Sequence, residues 1–437
     1  MILSSDEARS LIEKMLSFSS ADEVRVNLSG GRSGNTRFAL NSITTSGDED
    51  TLDISVTAVF GKRHGTATGN ELDDASLQRV VKSAEELARF SPEDKEYTPE
   101  LGPQKYLEIN GHKESTAQAT PAVRVAAALS AIKPSSRKKL TSAGFFQHNS
   151  SFDAVGNNKG LFGYYPSTNS SYSVTVRTNT GAGSGWASDN SRDISDVNYG
   201  DVSKRAIDKA RKSRKAKTLE PGVYPVILEP QAASDLLGYA VFTMNARRAD
   251  EGRSFYSKVG GGNKIGEQIM DSNITIASDP THPELLGSPF WGDGLPSKKM
   301  EWIKDGVLQN LFYTRYWAEK QGKEPTGFPS NLIVSGGSGS LKKLIKSTDR
   351  AVLITRLWYI RFVDPQTILM TGLTRDGTFW VERGKVRHAV KNFRFNESPI
   401  ALLNKVTGMT APVRVGSSLV PAIRASEFNF SSLSDAV

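Results

Sequence analysis

The chain has 437 residues, 23% of them charged and 38% hydrophobic, the balance of a soluble globular protein with core enough for two or three domains. It contains no cysteine, which excludes disulfides, thiolate catalysis and cysteine-ligated metals and is the usage expected of a cytoplasmic protein. A net charge of +8 permits an acidic partner but is too small over this length to predict nucleic acid as a ligand. No run reaches the roughly 18–20 apolar residues of a membrane helix. The opening Met1 to Glu7 lacks the basic-then-apolar pattern of a signal peptide.

In chain order, Ser5-Asp-Glu opens a predicted helix that buries Leu11, Ile12, Met15 and Leu16. Alternation predicts strands over 23–28 and 36–43, with Gly30-Gly-Arg-Ser-Gly34 turning the chain between them. A third strand over 52–60 turns at 61–65 into 66–68. A helix capped by Asp73 or Asp74 follows, with Leu77, Val80, Val81, Ala84 and Leu87 on one face. Residues 92–115, holding Pro92, Pro99 and Pro103, read as a linker. A helix from Pro121 is expected to stop at Lys133-Pro134. The stretch 140–187 is strand-rich, with turns expected at 149–151, 156–160 and 179–181.

The helix predicted over 201–217 carries Lys204, Arg205, Lys209, Arg211, Lys212, Arg214, Lys215 and Lys217 against one acid, Asp208. A solvated face is its first reading, contact with an acidic protein the second and nucleic acid the last, because no aromatic residues interleave the cations. Next, the apolar run Val223 to Leu228 feeds a helix with proline at its first position, Pro230, where the missing N–H costs nothing. Ala232, Ala233, Leu236, Leu237, Ala240, Val241 and Met244 form its buried stripe; Gln231, Asp235, Gly238, Tyr239, Phe242 and Thr243 form the other side. Beyond a glycine loop at 259–263, a hairpin is predicted over 299–313 at Asp305-Gly306. Strands are predicted over 352–364, 367–373 and 378–390, the last folding back at 382–385. A short helix at 399–405 and a terminal strand complete the chain. The fold class is α+β: an N-terminal α/β sandwich-like domain over 1–105, a helix and β-rich domain over 116–219, and a mainly antiparallel β domain with a buried helix over 220–437.

Chemistry is sparse. The five histidines, His64, His112, His148, His282 and His388, are too scattered to predict a shared metal. The glycine-rich stretches 260–266 and 336–340 fail the phosphate-loop and dinucleotide patterns, and no G-x-S-x-G elbow occurs. No residue is predicted to be catalytic, and none to ligate metal.

Several stretches nevertheless resemble one known family. Pro230-x-Ala-Ala-x-x-Leu-Leu237, the N-terminal run 35–46, the segment 69–92 and the late runs 358–362 and 375–380 are similar to the TldD/TldE (PmbA) proteins. In the catalytic TldD branch the helix carries His-Glu-x-x-x-His, which binds zinc together with a cysteine near the C-terminus. Histidines five apart lie about 140° round an ideal helix, so that motif requires a local bulge. Here the corresponding positions are Gly238, Tyr239 and Thr243, and the cysteine is missing. The resemblance therefore implies a TldE/PmbA-like, non-catalytic subunit, with no cofactor of its own and zinc expected in a TldD-like partner. It implies a heterodimer, with a homodimer as the alternative, and extended peptides as substrates. The groove candidates are Tyr239, Arg253, Ser254 and Phe255, and the strand 358–362 suits edge hydrogen bonding to a peptide. The rival readings are a stand-alone peptide- or protein-binding protein of gyrase-modulator type and a peptidase with an unrecognised site.

Overall fold

The computed structural model describes residues 2–434. Its first half is built on one six-stranded antiparallel sheet, in the order β3-β2-β1-β4-β5-β6. The strands are β1 (Glu23–Ala39), β2 (Ser42–Phe60), β3 (Arg63–Gly69), β4 (Leu140–Asn157), β5 (Phe162–Thr178) and β6 (Ser184–Ser191). Because β1 pairs with both β2 and β4, residues on either side of the 92–115 segment share one layer.

Two expected turns are strand interior instead. Gly30 to Gly34 lies within β1, and 149–151 lies within β4. Glycine and serine there serve close approach rather than a turn: a Cβ on Gly31 would collide with the Ser150 carbonyl, and one on Gly34 with the Arg124 guanidinium. The chain reverses at Leu40-Asn41, both in the left-handed region at φ 50° and 60°. Asn41 holds that turn against β4, donating to the Leu140 carbonyl (2.7 Å) and accepting from the Ser142 amide (2.7 Å).

One face of the sheet is covered by α1 (Ser5–Ser17), α2 (Asp74–Phe90), α3 (Glu114–Ala117), α4 (Pro121–Arg137) and α5 (Tyr199–Lys212). The cap of α1 is Ser4, one residue before the expected start, in a reciprocal box with Glu7. Asp73 caps α2. Pro134 does not stop α4, which runs to Arg137. It sits in the last turn, where buried Ala131, Ile132 and Ser135 hold the helix on the sheet.

The β1–β2 hairpin is fastened to α4 by a buried cation. Arg124, 1% exposed, donates to both Asp48 oxygens (2.7 and 3.1 Å) and lies 3.0 Å from His148 Nε2. That nitrogen faces a donor, so His148 is neutral. Burial first, and the Arg124 charge second, hold its pKa below the ordinary 6.5.

From β7 (Gly222–Leu228) onward the chain makes two more sheets. The smaller has six strands: β8 (Ile276–Ser278), β9 (Met300–Lys304), β10 (Val307–Leu308), β11 (Leu332–Val334), β19 (Val413–Val415) and β20 (Ser418–Val420). The predicted hairpin at Asp305-Gly306 is the β9–β10 connection. The larger, nine-stranded sheet adds to β7 the strands β12 (Arg350–Ile354), β13 (Leu357–Asp364), β14 (Leu369–Thr374), β15 (Thr378–Glu382), β16 (Lys385–Ala389), β17 (Asn392–Glu397), β18 (Val406–Met409) and β21 (Ile423–Ser434). The run predicted as one strand over 352–364 breaks at Thr355-Arg356. β12 lies centrally, parallel to β7, while β13 goes to the sheet's edge. The break is held by Arg356 Nη1 on the buried Asp376 carboxylate (3.0 Å). Asp376 also accepts from Ser184 Oγ of β6 (2.5 Å), which ties the two halves together.

The unfolded chain binds a proton on residue 148 that the native state refuses, so stability falls as pH drops below about 6.5. Denaturant midpoints compared at neutral and mildly acidic pH are expected to decline for the wild type. They should decline less for His148→Gln, whose amide oxygen accepts from Arg124 without titrating.

Candidate functional site

The central helix is α6 (Pro230–Phe242). Pro230 occupies its first position, and Ala232, Ala233, Leu236, Leu237, Ala240 and Val241 are buried against the C-terminal core, as the spacing predicts. Two polar side chains of α6 reach the outer edge of β13. The Asp235 carboxylate accepts from the Leu357 amide (2.9 Å) and from Gln231 Nε2 (2.7 Å). The Tyr239 hydroxyl donates to the Ile360 carbonyl (3.2 Å), its ring edge-on to Phe362 at 5.6 Å. At Leu357 and Ile360 the strand edge expected to meet a peptide is thus already hydrogen-bonded by the helix. Burial pushes the Asp235 carboxyl up to about 6, against the lowering effect of its two hydrogen bonds.

Gly238, one turn along, borders open space: a Cβ there would meet nothing. Thr243 caps the helix, its hydroxyl donating back to the Tyr239 and Ala240 carbonyls (both 2.9 Å). The helix is regular up to that cap, with the Thr243 amide bonded to the Tyr239 carbonyl (3.3 Å), so the bulge that the zinc motif requires does not occur here. The three positions offer no side chain, a phenol engaged elsewhere and a hydroxyl folded onto its own helix. Catalytic zinc takes three histidine, carboxylate or thiolate ligands. Among the described residues no group of three or more histidines, cysteines and acids stands ready for a metal.

Three family models cover most of the chain: PmbA/TldA metallopeptidase domain 1 over residues 24–88, the central domain over 114–214 and the C-terminal domain over 221–432. This chain belongs to the PmbA/TldD metallopeptidase family. The metalloprotease PmbA of Escherichia coli O157:H7 is 26% identical over 392 residues, 84% of this chain and 82% of its own length. The fold is shared with TldE from Thermococcus kodakarensis (TM-score 0.86, 20% identity, 97% of this chain and 99% of that one). It is shared equally with a Thermotoga maritima protein described as a DNA gyrase modulator (TM-score 0.87, 19% identity, 97% and 100%).

In this PmbA/TldD chain the remaining groove candidates follow α7 (Ala246–Asp250) and are engaged locally. Arg253 pairs with Glu251. Ser254 Oγ accepts from the Tyr256 amide (3.1 Å). The Phe255 ring lies under Lys264 Nζ at 4.0 Å. Sequence reasoning passed over Tyr256, the residue that positions this loop. It is fully buried, and its hydroxyl donates to the Ala240 carbonyl of α6 (2.8 Å). Asp250, also missed, accepts from Asn263 Nδ2 of the glycine loop (2.6 Å) and from Trp317 Nε1 (2.7 Å) on α8 (Arg315–Lys320). Glycine is needed in that loop, since Gly260, Gly261 and Gly262 all have φ between 79° and 115°.

An aromatic ridge borders the free side of α6. Phe242, 65% exposed, lies edge-on to Phe328 (5.9 Å), which meets Phe312 (5.5 Å). The histidines do not converge: His64 faces Asp94, His112 faces Glu114, His282 bonds the Glu284 amide, and His388 lies in β16. The basic run leaves the helix at Lys212, with Val202, Ala206, Ile207 and Ala210 inward and most of its cations exposed; Lys209 bridges to Glu229 (2.8 Å).

Relative to the protonated form, which is fully populated in both states below the unfolded value of 3.8, the raised carboxyl at 235 loses stability as pH rises from there through about 6 and opposes folding once ionised. Asp235→Asn is therefore expected to stabilise the protein by about 1–3 kcal/mol at pH 8, the gain fading as pH falls through 6 towards 4. Chemical denaturation across that range reads the difference.

Proposed function

We propose that this chain is the metal-free, TldE/PmbA-type subunit of a zinc metallopeptidase assembly that processes or degrades extended peptides in the cytoplasm. The observation that carries this reading is the chemistry of Gly238, Tyr239 and Thr243, which offer zinc no histidine, carboxylate or thiolate ligand. Zinc and the attacking water would belong to a TldD-like paralogue bearing His-Glu-x-x-x-His. The likeness to TldE along nearly the whole chain supports the subunit type, and the name of the E. coli relative supports peptidase chemistry. In this reading Tyr239, Arg253, Ser254 and Phe255 border the peptide path as packed walls rather than as reacting groups. Units 1–105, 116–219 and 220–437 supply scaffold and interface.

Chemically, the chain itself contributes position and enclosure. The helix α6 fixes β13, Tyr256 fixes the following loop, and the exposed ring of Phe242 adds an apolar surface beside the open space at Gly238. No proton-transfer step is assigned to these residues.

Co-expression with the zinc-bearing paralogue is expected to yield a stable complex with chelator-sensitive peptidase activity, while the chain alone holds no stoichiometric zinc and cleaves nothing. Metal analysis and a peptide-cleavage assay on both samples check this. Tightly held zinc with chelator-sensitive cleavage by the isolated chain would mean an unrecognised hydrolytic site. Failure to associate, with peptide binding retained, would leave a stand-alone binding protein.

A further inference from the structure

The nine-stranded sheet ends at β16, whose outer edge pairs with no named strand and is bridged at its far end alone, by Lys217 to Val390, among the described residues. It is entered through a two-residue turn, Arg383-Gly384, at φ 50° and 71°, so Glu382 and Lys385 face each other as the first pair. Hydrogen bonding alternates along an antiparallel ladder, so the next residue, Val386, turns its amide and carbonyl away from β15. Its side chain is 41% exposed.

Cations gather around this edge from three elements. The tail of α5 runs alongside, the Lys217 amide donating to the Ala389 carbonyl (2.9 Å) and its carbonyl accepting from the Lys391 amide (3.0 Å). The end of α9 (Leu341–Lys346) backs onto the turn through the Gly384 amide on the Thr348 carbonyl (2.9 Å) and the Arg383 amide on the Asp349 carbonyl (2.7 Å). Lys217, Lys346, Lys385 and Arg387 are exposed here, and Lys215 lies just before Lys217. The nearby acids are Asp349 and Glu382, the latter 3.9 Å from Arg387.

We propose that this edge takes an acidic polypeptide segment in extended conformation, added as a further strand beside β16. Lysine on an exposed edge repels another basic edge, including that of a second copy of this chain, and so blocks indiscriminate pairing. The same charge selects a strand carrying carboxylates, whose backbone meets the outward groups of Val386 while its acids meet Lys385 and Arg387. Nucleic acid fits less well, because it does not use a free strand edge and the exposed apolar side chain within β16 is Val386 rather than a ring on which bases stack. This surface lies on the edge of the sheet opposite β13 and α6 and is independent of the peptidase reading.

The test is fluorescence anisotropy of the full chain with a short labelled peptide alternating glutamate and valine, over a series of salt concentrations. Binding that weakens with salt is expected, with affinity falling about tenfold or more, ~1.4 kcal/mol, in Lys385→Glu/Arg387→Glu. A comparable loss is expected in Val386→Pro, which removes an outward amide but no bond to β15. Should the proline variant melt early, the same peptide with N-methylated alternate amides makes the measurement on the wild type and should bind as weakly. The proposal is overturned by absent binding, by equal binding of a lysine–valine peptide or of single-stranded DNA, or by N-methylation that leaves affinity unchanged. Sedimentation showing the edge already filled by a second copy, released in the double charge variant, would overturn it too.

Discussion

The exposed backbone of β13 is what the C-terminal half has to accommodate. A strand at the edge of a sheet presents amides and carbonyls that need partners, and here the partners are two side chains of one helix, Asp235 at Leu357 and Tyr239 at Ile360. Those bonds fix the rotation of α6 about its axis. With Ala232, Leu236 and Ala240 turned into the core and Asp235 and Tyr239 turned to the strand, Gly238 is left at open space and Thr243 at the cap. A carboxyl pushed up to about 6 is the electrostatic cost of this arrangement, since its bonds to Leu357 and Gln231 do not fully offset burial.

The same economy recurs in the N-terminal half. Arg124 lies nearly wholly out of water, which is tolerable because Asp48 and neutral His148 accept its hydrogen bonds and Gly34 leaves it room. The glycines that looked like turn formers in β1 are there for the same reason: beside the Ser150 carbonyl and the Arg124 guanidinium there is no space for a side chain at Gly31 or Gly34.

The halves meet through a small apolar cluster, Phe290 packed with Val155, Leu161 and Tyr165, and through several polar contacts. Ser184 and Asp376, Asp189 and Arg414 (3.0 Å), and Lys209 and Glu229 (2.8 Å) join β6 and α5 to the C-terminal sheets. Lys209, part of the basic run, is spent on this junction, whereas the cations beyond it reach solvent beside β16.

Much of this is legible in the sequence alone. The apolar stripe of α6, its proline start, the Asp305-Gly306 hairpin, the 382–385 turn and the α+β class follow from periodicity and turn chemistry, which act over a few neighbouring residues. The absence of cysteine and of a histidine pair on α6 likewise needs no fold to be read. What the sequence could not express was decided by partners outside the local window, from 16 residues away (Tyr256 to Ala240) to 122 (Asp235 to Leu357). Whether Gly30 to Gly34 turns or pairs depends on β4 lying beside it, and whether 352–364 is one strand or two depends on Asp376. The roles of Asp235, Tyr256 and Arg124 depend on what lies opposite them. Local propensity ranks the alternatives for each segment; long-range hydrogen bonding and the exclusion of water from buried polar groups choose among them.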